Sequence, residues 1–570
     1  MDPSNDGKSP KVQETEIAGA NEDSPIELNL TKSEHEKEQE TLLEISSPQI
    51  VIDSPRSGVE IMDYGDSEDN LEVKMEGELL QDEYSKARKM SIEEIFADER
   101  KGILVEMKSI TIKALPLMIG GLFSAFTLFL ETSTIGKLGK KQLAGYGMAH
   151  IFVVFLGYPL KFGIIGALET LCSQAHTGMK HTNMTEIYLQ RAIALFVCLM
   201  VFNFGVWTTS PLWLSRVVKD KEIAFYAGRY LQLYIPGFFS LGLLGCIRQY
   251  LYAQGIVKPI YFVAVIGSSV TILSLYVLVI NKSTSIGFIG VPISSGLGYL
   301  TMLSILIMFV RSSKLKSKFK VLNPIRNFFP LNYISKDVFM GWDQILKFAI
   351  PSMILVYTTS GTNELASVAA TMMKDNALAV QSVLNTVTRL FIMFFINFAI
   401  ISTNRMGNAL GANVEQRARI IFKASTIIFV LIAIVIFIFL ISAANWWGPL
   451  FSKNKNIVGY IEKLAPLVAV TMVFEIIGFL YTGLLRGQGR QVQAAKIKIF
   501  AFYLVGTPIG WILGLYFGWN LKGLWIGLII GHSITTITMG YIMYNTDWKV
   551  EIQKCRDRLQ GNAKSDYKRA

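Results

Sequence analysis

Charge is scarce in this 570-residue sequence. Asp, Glu, Lys and Arg together make up 17% of it, against 51% hydrophobic residues. A soluble chain carries about 25% charged residues. Mean hydropathy is +0.38, and the apolar surplus lies in uninterrupted runs of membrane-spanning length. That excludes a soluble enzyme, a disordered protein and a nucleic-acid binder. Cysteine is scarce as well: Cys172, Cys198, Cys246 and Cys555 suggest neither a disulfide framework nor a CxxC metal pair. The sequence has no HExxH, no phosphate-binding glycine loop and no nucleophile elbow. These gaps argue against an enzyme and against direct use of ATP, and no cofactor or metal is expected. Met1–Pro10 is polar and acidic, without the apolar core of a secretory leader. The first hydrophobic segment is therefore expected to direct insertion.

The few charges are segregated. Residues 1–100 hold 27 acidic and 10 basic side chains, and the rest of the chain holds 17 and 45. Residues 1–100 are too polar to bury a core and read as an acidic, disordered cytosolic tail. Twelve hydrophobic segments follow, from 109–131 to 522–545, with span two at 145–170, span seven at 345–370 and span eleven at 496–518. Their continuous hydrophobicity predicts helices, because strands of a barrel would alternate. Lys and Arg gather after spans six, eight and ten and in the C-terminal tail; Arg311, Lys314, Arg417, Lys496, Lys498 and Lys549 are examples. In a twelve-span chain all of these lie on one side, which the positive-inside rule makes cytosolic. Both termini are then cytosolic.

The halves repeat. Lys113-Ala-Leu-Pro-Leu-Met-Ile119 pairs with Phe348-Ala-Ile-Pro-Ser-Met-Ile354, Leu143-Ala144 with Leu378-Ala379, Tyr230–Pro236 with Tyr460–Pro466, and Gln254-Gly255 with Gln488-Gly489. Six spans per half insert both halves with the same orientation, as two bundles around a central cavity. The expected fold is an all-α membrane protein of twelve transmembrane helices in two pseudo-symmetric six-helix bundles. The expected parts are the tail at 1–100, one bundle at 101–310, a basic cytosolic linker at 311–344, the second bundle at 345–546 and a basic cytosolic tail at 547–570.

Charges inside the spans carry the functional signal. One at a helix centre costs roughly 2.5–3.5 kcal/mol on insertion scales, so each needs a reason. Glu364 in span seven and Glu475 in span ten read as proton- or cation-binding carboxylates; the competing reading for Glu364 is an ion pair with Arg389. Glu169 near the end of span two is either a site residue or a solvated cap. Glu131, just before the outer loop, reads as interfacial. Lys161 and Arg389 occupy corresponding second helices, as charge compensation or as contacts for an anionic part of a substrate. Arg248 and Arg405 read as snorkelling or clamping loops near the cytosolic face. Pro116 and Pro351 interrupt their helices at equivalent depth. His150 and His532 read as packed side chains rather than metal ligands.

Several segments resemble one known family. Leu168-Glu-Thr-Leu-Cys-Ser-Gln-Ala-His-Thr-Gly178, Arg248-Gln-Tyr-Leu-Tyr-Ala-Gln-Gly255, Asn404-Arg-Met-Gly-Asn-Ala-Leu-Gly-Ala-Asn413, Gly483-Leu-Leu-Arg-Gly-Gln-Gly-Arg490 and Leu521-Lys-Gly-Leu-Trp-Ile-Gly527 resemble, in order, signatures of eukaryotic multidrug and toxic compound extrusion (MATE) transporters. The resemblance spans residues 105–545. It implies secondary antiport, in which organic cations or xenobiotics leave the cytosol as protons, or sodium, enter. It also implies that Glu364, Glu475 and Glu169 match the acidic residues of the family's seventh, tenth and second helices. Thr359 stands where a first seventh-helix glutamate would be, and Ser360 and Gly361 replace an aromatic pair. Arg389 and Lys161 are atypical, which leaves room for a zwitterionic, anionic or metabolite substrate.

The site is therefore expected at Glu364, Glu475, Glu169, Thr359, Arg389 and Lys161. The expected activity is proton-coupled export by alternating access. A carboxylate in low dielectric holds its proton more tightly than one in water, so proton and substrate can compete for it. The alternative is a lipid or lipid-linked sugar flippase of similar fold. A membrane acyltransferase would need a histidine constellation that the isolated His150 and His532 do not supply. The expected partners are a small-molecule substrate, a coupling ion and the bilayer, with no nucleic acid, and the chain is expected to be a monomer. The plasma or vacuolar membrane is the expected location.

Overall fold

The computed structural model describes residues 98–179, 184–311, 338–373, 376–443, 446, 448–449 and 454–569, the last eight of these by backbone alone. Residues 1–97 of the expected acidic tail and 312–337 of the expected linker lie outside the described residues. The described elements are helices. They are α1 (Glu99–Leu138), α2 (Lys140–Gly178), α3 (Met184–Thr208), the short α4 (Ser210–Val217), α5 (Lys221–Ala253), α6 (Lys258–Ile280) and α7 (Gly290–Arg311), then α8 (Trp342–Thr371), α9 (Ala377–Gly411), α10 (Glu415–Ser442), α11 (Lys455–Gln488), α12 (Gln491–Tyr516), α13 (Leu521–Tyr544) and α14 (Trp548–Arg569).

Eleven of these helices are long and apolar enough to cross a membrane. The remaining expected span, the seventh, is α8, which is not among them although it has 30 residues. At ~1.5 Å per residue it is long enough to cross, but the polar run Thr358-Thr-Ser-Gly-Thr-Asn-Glu364 lowers its hydropathy. Helices α1 and α2 overrun their hydrophobic segments at both ends, α1 from a capped polar turn. Asp98 accepts hydrogen bonds from the amides of Arg100 (3.1 Å) and Lys101 (3.3 Å) and starts α1. Asp220 does the same for α5.

The prolines interrupt less than expected: α1 and α8 run unbroken through Pro116 and Pro351, as α5 and α11 do through Pro236 and Pro466. The repeat is visible in backbone detail. Gly255 after α5 and Gly489 after α11 both take positive φ, 74° and 80°, which only glycine adopts without strain. At the second, the Gly489 amide bonds the Arg486 carbonyl and the Arg490 amide bonds that of Leu485.

Helices α1 and α2 of the first half pack against α8, α9 and α10 of the second. Small residues bring them together. A Cβ on Gly166 would lie 2.6 Å from Ser352 Oγ, and one on Gly178 would lie 2.9 Å from the Gly411 carbonyl oxygen.

Candidate functional site

The six expected site residues do not form one site. Four groupings emerge, the first in the second lobe. Thr359, Thr362 and Asn363 of α8, Glu475 and Gly478 of α11, Lys498 and Phe502 of α12 and His532 of α13 line a small cavity. Its volume of ≈ 20 Å³ holds about one water molecule. Lys498 Nζ donates to Thr359 Oγ1 at 3.3 Å and lies close enough to Glu475 for their charges to interact. The His532 ring stands edge-on to Phe502, with centroids 4.8 Å apart.

Lys498 corrects the sequence reading. Expected in a cytosolic loop, it is buried inside α12, because α12 starts at Gln491, directly after the Gly489 turn, and not at 496. A start set by that glycine would have carried Lys498 two turns into the span. The helix then widens to a π-turn at Phe500–Gly506, a register shift common at functional sites.

The second grouping lies in the first lobe. Glu131 was expected at the interface, and it is buried, 6% exposed, because α1 continues to Leu138. It accepts a 2.5 Å hydrogen bond from Ser295 Oγ of α7. The pair opens on a cavity of ≈ 190 Å³ walled by Tyr146, His150, Tyr158, Tyr230, Tyr234 and Tyr299. A signal was present in the sequence: Ser124, Thr127 and Glu131 recur at helical spacing on one face of α1.

The third grouping faces between the lobes. Arg389 Nη2 lies 3.6 Å from Glu364 Oε1, with the two side chains 53% and 37% exposed. Glu364 is therefore ion-paired and is not among the residues lining the Glu475 cavity. Midway along α8, the Tyr357 hydroxyl donates to the Phe155 carbonyl in the π-turn of α2, at 2.8 Å.

The fourth is a polar clasp at the end where α1 begins. Glu106, 1% exposed, receives Arg405 Nε at 2.6 Å and Arg417 Nε at 3.2 Å. Glu169 Oε2 lies 3.3 Å from Arg486 Nη1 across the lobes, so it is a buried ion pair rather than a solvated cap. Thr170 Oγ1 donates to the Arg486 carbonyl (2.6 Å), Gln174 Nε2 to that of Gly487 (2.9 Å) and Gln249 Nε2 to Asn404 Oδ1 (2.9 Å). The expected basic tail joins the clasp as α14. Arg558 donates to Gln174 Oε1 at 2.5 Å and sits 5.3 Å from the Phe348 ring centre. Arg405 clamps as expected, onto a glutamate that the sequence reading did not single out.

Lys161 belongs to none of these pairings. It is 8% exposed, with its ammonium over the rings of Phe162 (4.1 Å) and Tyr158 (4.8 Å).

A family model, MatE, matches residues 116–277 and 351–512, one segment in each half. An uncharacterized transporter of Schizosaccharomyces pombe is 27% identical, over 82% of this chain and 86% of that protein. Protein DETOXIFICATION 5 of Arabidopsis thaliana is 26% identical, over 80% and 93%. Among solved structures, the eukaryotic MATE transporter AtDTX14 superposes with a TM-score of 0.72, at 24% identity, over 80% of this chain and 100% of that one. A MOP superfamily transporter from Pyrococcus furiosus, described as having a binding pocket of reverse polarity, superposes at 0.69 with 17% identity, over 79% and 97%. The two-lobed helical fold, the paired matches and the full-length relatives lead to one conclusion: this chain belongs to the MatE family of multidrug and toxic compound extrusion transporters, multi-pass proteins of the membrane.

Proposed function

We propose that this protein is a proton-coupled antiporter that exports small molecules from the cytosol by alternating access. The observation that carries the reading is the placement of Glu475. It lines a small cavity in the second lobe beside Lys498, Thr359 and His532, where, among the described residues, no ion pair within 4 Å fixes its charge. Glu131 is a second loading point, because it is hydrogen-bonded to a neutral hydroxyl, that of Ser295. Glu364 and Glu169 act structurally in this state, holding Arg389 and Arg486.

With both termini in the cytosol, as the positive-inside rule implies, the clasped end is the cytosolic one, and we read this state as the outward-facing one. Protonation from the outer side and substrate release belong to this state. Rocking the bundles, 101–310 against 345–546 across the 311–344 linker, would break the clasp and expose the site inward. Plasma and vacuolar membranes both fit that polarity.

The test is reconstitution into liposomes with an imposed pH gradient and a fluorescent organic cation. Gradient-driven dye movement by the wild type, abolished in folded Glu475→Gln, is the expected result. Movement that ignores the gradient, or that survives Glu475→Gln and Glu131→Gln together, overturns the reading.

A further inference from the structure

The C-terminal helix α14 is not one of the membrane-crossing helices, yet one of its faces is buried. Asp547 caps it, accepting hydrogen bonds from the amides of Lys549 (3.0 Å) and Val550 (3.3 Å). Trp548, Glu551, Cys555 and Leu559 then recur at helical spacing, and each is 5% exposed or less. The opposite face, with Lys549, Gln553, Lys554 and Arg556, is exposed. The first turns hold to the second lobe. The Trp548 and Phe422 ring centres are 6.4 Å apart, and Glu551 Oε1 lies 3.8 Å from Nη1 of Arg490, just after α11.

The next turn reaches both lobes at once. The Arg558 guanidinium lies 5.3 Å from the Phe348 ring centre of α8 and against Gly489 after α11, where a Cβ would meet Nη1 at 2.7 Å. The same guanidinium donates to Gln174 Oε1 of α2, in the first lobe, at 2.5 Å. Leu559 also packs on α2. A Cβ on Gly178 would lie 2.6 Å from Leu559 Cδ1 and 2.9 Å from the Gly411 carbonyl oxygen of α9. Leu559 therefore covers the point where α2 of one lobe meets α9 of the other.

These contacts fit one arrangement of the lobes. Alternating access requires α2 to part from α9 and from the end of α11 here. Arg558 cannot then keep Gln174 together with Gly489 and Phe348, and Leu559 gives up Gly178 to water. Contacts made in one state alone favour that state. We propose that α14 is a strap across the cytosolic seam, which holds the lobes closed at that end and must leave α2 before the site can face inward. Trp548, Glu551 and Cys555 keep the strap on its own lobe, and Arg558 and Leu559 are the part that lets go. This rests on the alternating-access reading and adds the segment that regulates it.

The test measures lobe separation by pulsed electron paramagnetic resonance on the full-length protein in nanodiscs. Spin labels sit at Lys258→Cys and Val492→Cys, exposed positions in the first turns of α6 and α12, with Cys198→Ser removing the exposed native thiol. The labelled parent should give a short distance. Arg558→Gln with Leu559→Ala should add a longer one and raise the long-to-short ratio roughly tenfold or more. Lys101→Ala, which breaks an exposed pair with Asp98 at the same end, should not change the ratio. An unmoved ratio in the strap variant, or an equal rise in Lys101→Ala, overturns the proposal. Should the double variant not fold, as judged by its thermal midpoint, Arg558→Gln alone carries the comparison, with a rise of roughly threefold expected and an unmoved ratio again overturning the strap. The measurement needs neither gradient nor substrate, so the two readings fail separately. A shifted ratio without gradient-driven flux removes the antiport alone, and gradient-driven flux with an unmoved ratio removes the strap alone.

Discussion

Glu106 and Glu475 are both carboxylates held inside a helical bundle, and the protein surrounds them in opposite ways. Glu106, in the clasp, meets two guanidiniums at hydrogen-bond distance. Glu475, in the second lobe, faces a small cavity with one ammonium, itself bonded to Thr359. Glu106 has both carboxylate oxygens engaged by arginines, whereas Glu475 has a cavity beside it with room for another partner. In the antiport proposed above, the clasp's charges hold the lobes together and those in the lobe interiors exchange protons. Glu131 falls on the second side of this divide, with only Ser295 and a wall of tyrosines around it.

The largest effect should come from breaking the clasp. Glu106→Ala removes the buried carboxylate that Arg405 and Arg417 share, and loss of one partner of a buried pair costs about 3–5 kcal/mol. Thermal unfolding in detergent should show a large fall in midpoint. A fall as small as that of an exposed control such as Glu222→Ala would mean that the clasp is not what joins the lobes.

Next in size is Glu475→Gln, which should keep the wild-type midpoint and lose gradient-driven transport by at least tenfold. If it unfolds the protein as Glu106→Ala does, the contrast between clasp and cavity collapses. Lys498→Gln sharpens it further. Removing the ammonium beside Glu475 should move the pH optimum of transport, since the two charges interact. An unmoved optimum would separate Lys498 from the proton step.

Glu131→Gln should give a smaller loss than Glu475→Gln, with the double variant inactive. Equal losses would make the lobes equivalent.

The smallest effect concerns α14. Cys555 is buried, and burial pushes its thiol up to about 11. A raised thiol stays protonated below that pH, so Cys555 should resist maleimide at pH 8. Arg558→Ala, which removes the hydrogen bond to Gln174, should raise the labelling rate several-fold at the same pH. An unchanged rate would show that α14 stays docked without that bond.

Much of this molecule is legible in one dimension. A span of twenty apolar residues must be helical in lipid, since nothing else satisfies its backbone there. Four short repeats in order imply two like-oriented bundles, and Gly255 and Gly489 turn at the same φ because the repeat requires it. Charges in spans stand out because lipid makes them costly, which is how Glu364, Glu475, Glu169, Lys161 and Arg389 were found. What stayed hidden depends on where helices end and which faces meet. Lys498 reads as a loop cation until α12 is known to start at Gln491, and Glu131 reads as interfacial until α1 is known to run to Leu138. Glu106 lies so near the start of α1 that nothing local marks it as buried.

The sequence by itself therefore determined that this is a two-fold helical membrane protein with a few embedded charges, because hydrophobicity and insertion energy act residue by residue along the chain. Only the tertiary structure decided which charges are neutralised and which are not. Partners such as Glu106 and Arg405, or Glu169 and Arg486, lie about 300 residues apart, and their distance in space is set by how the two lobes close, which no local pattern carries.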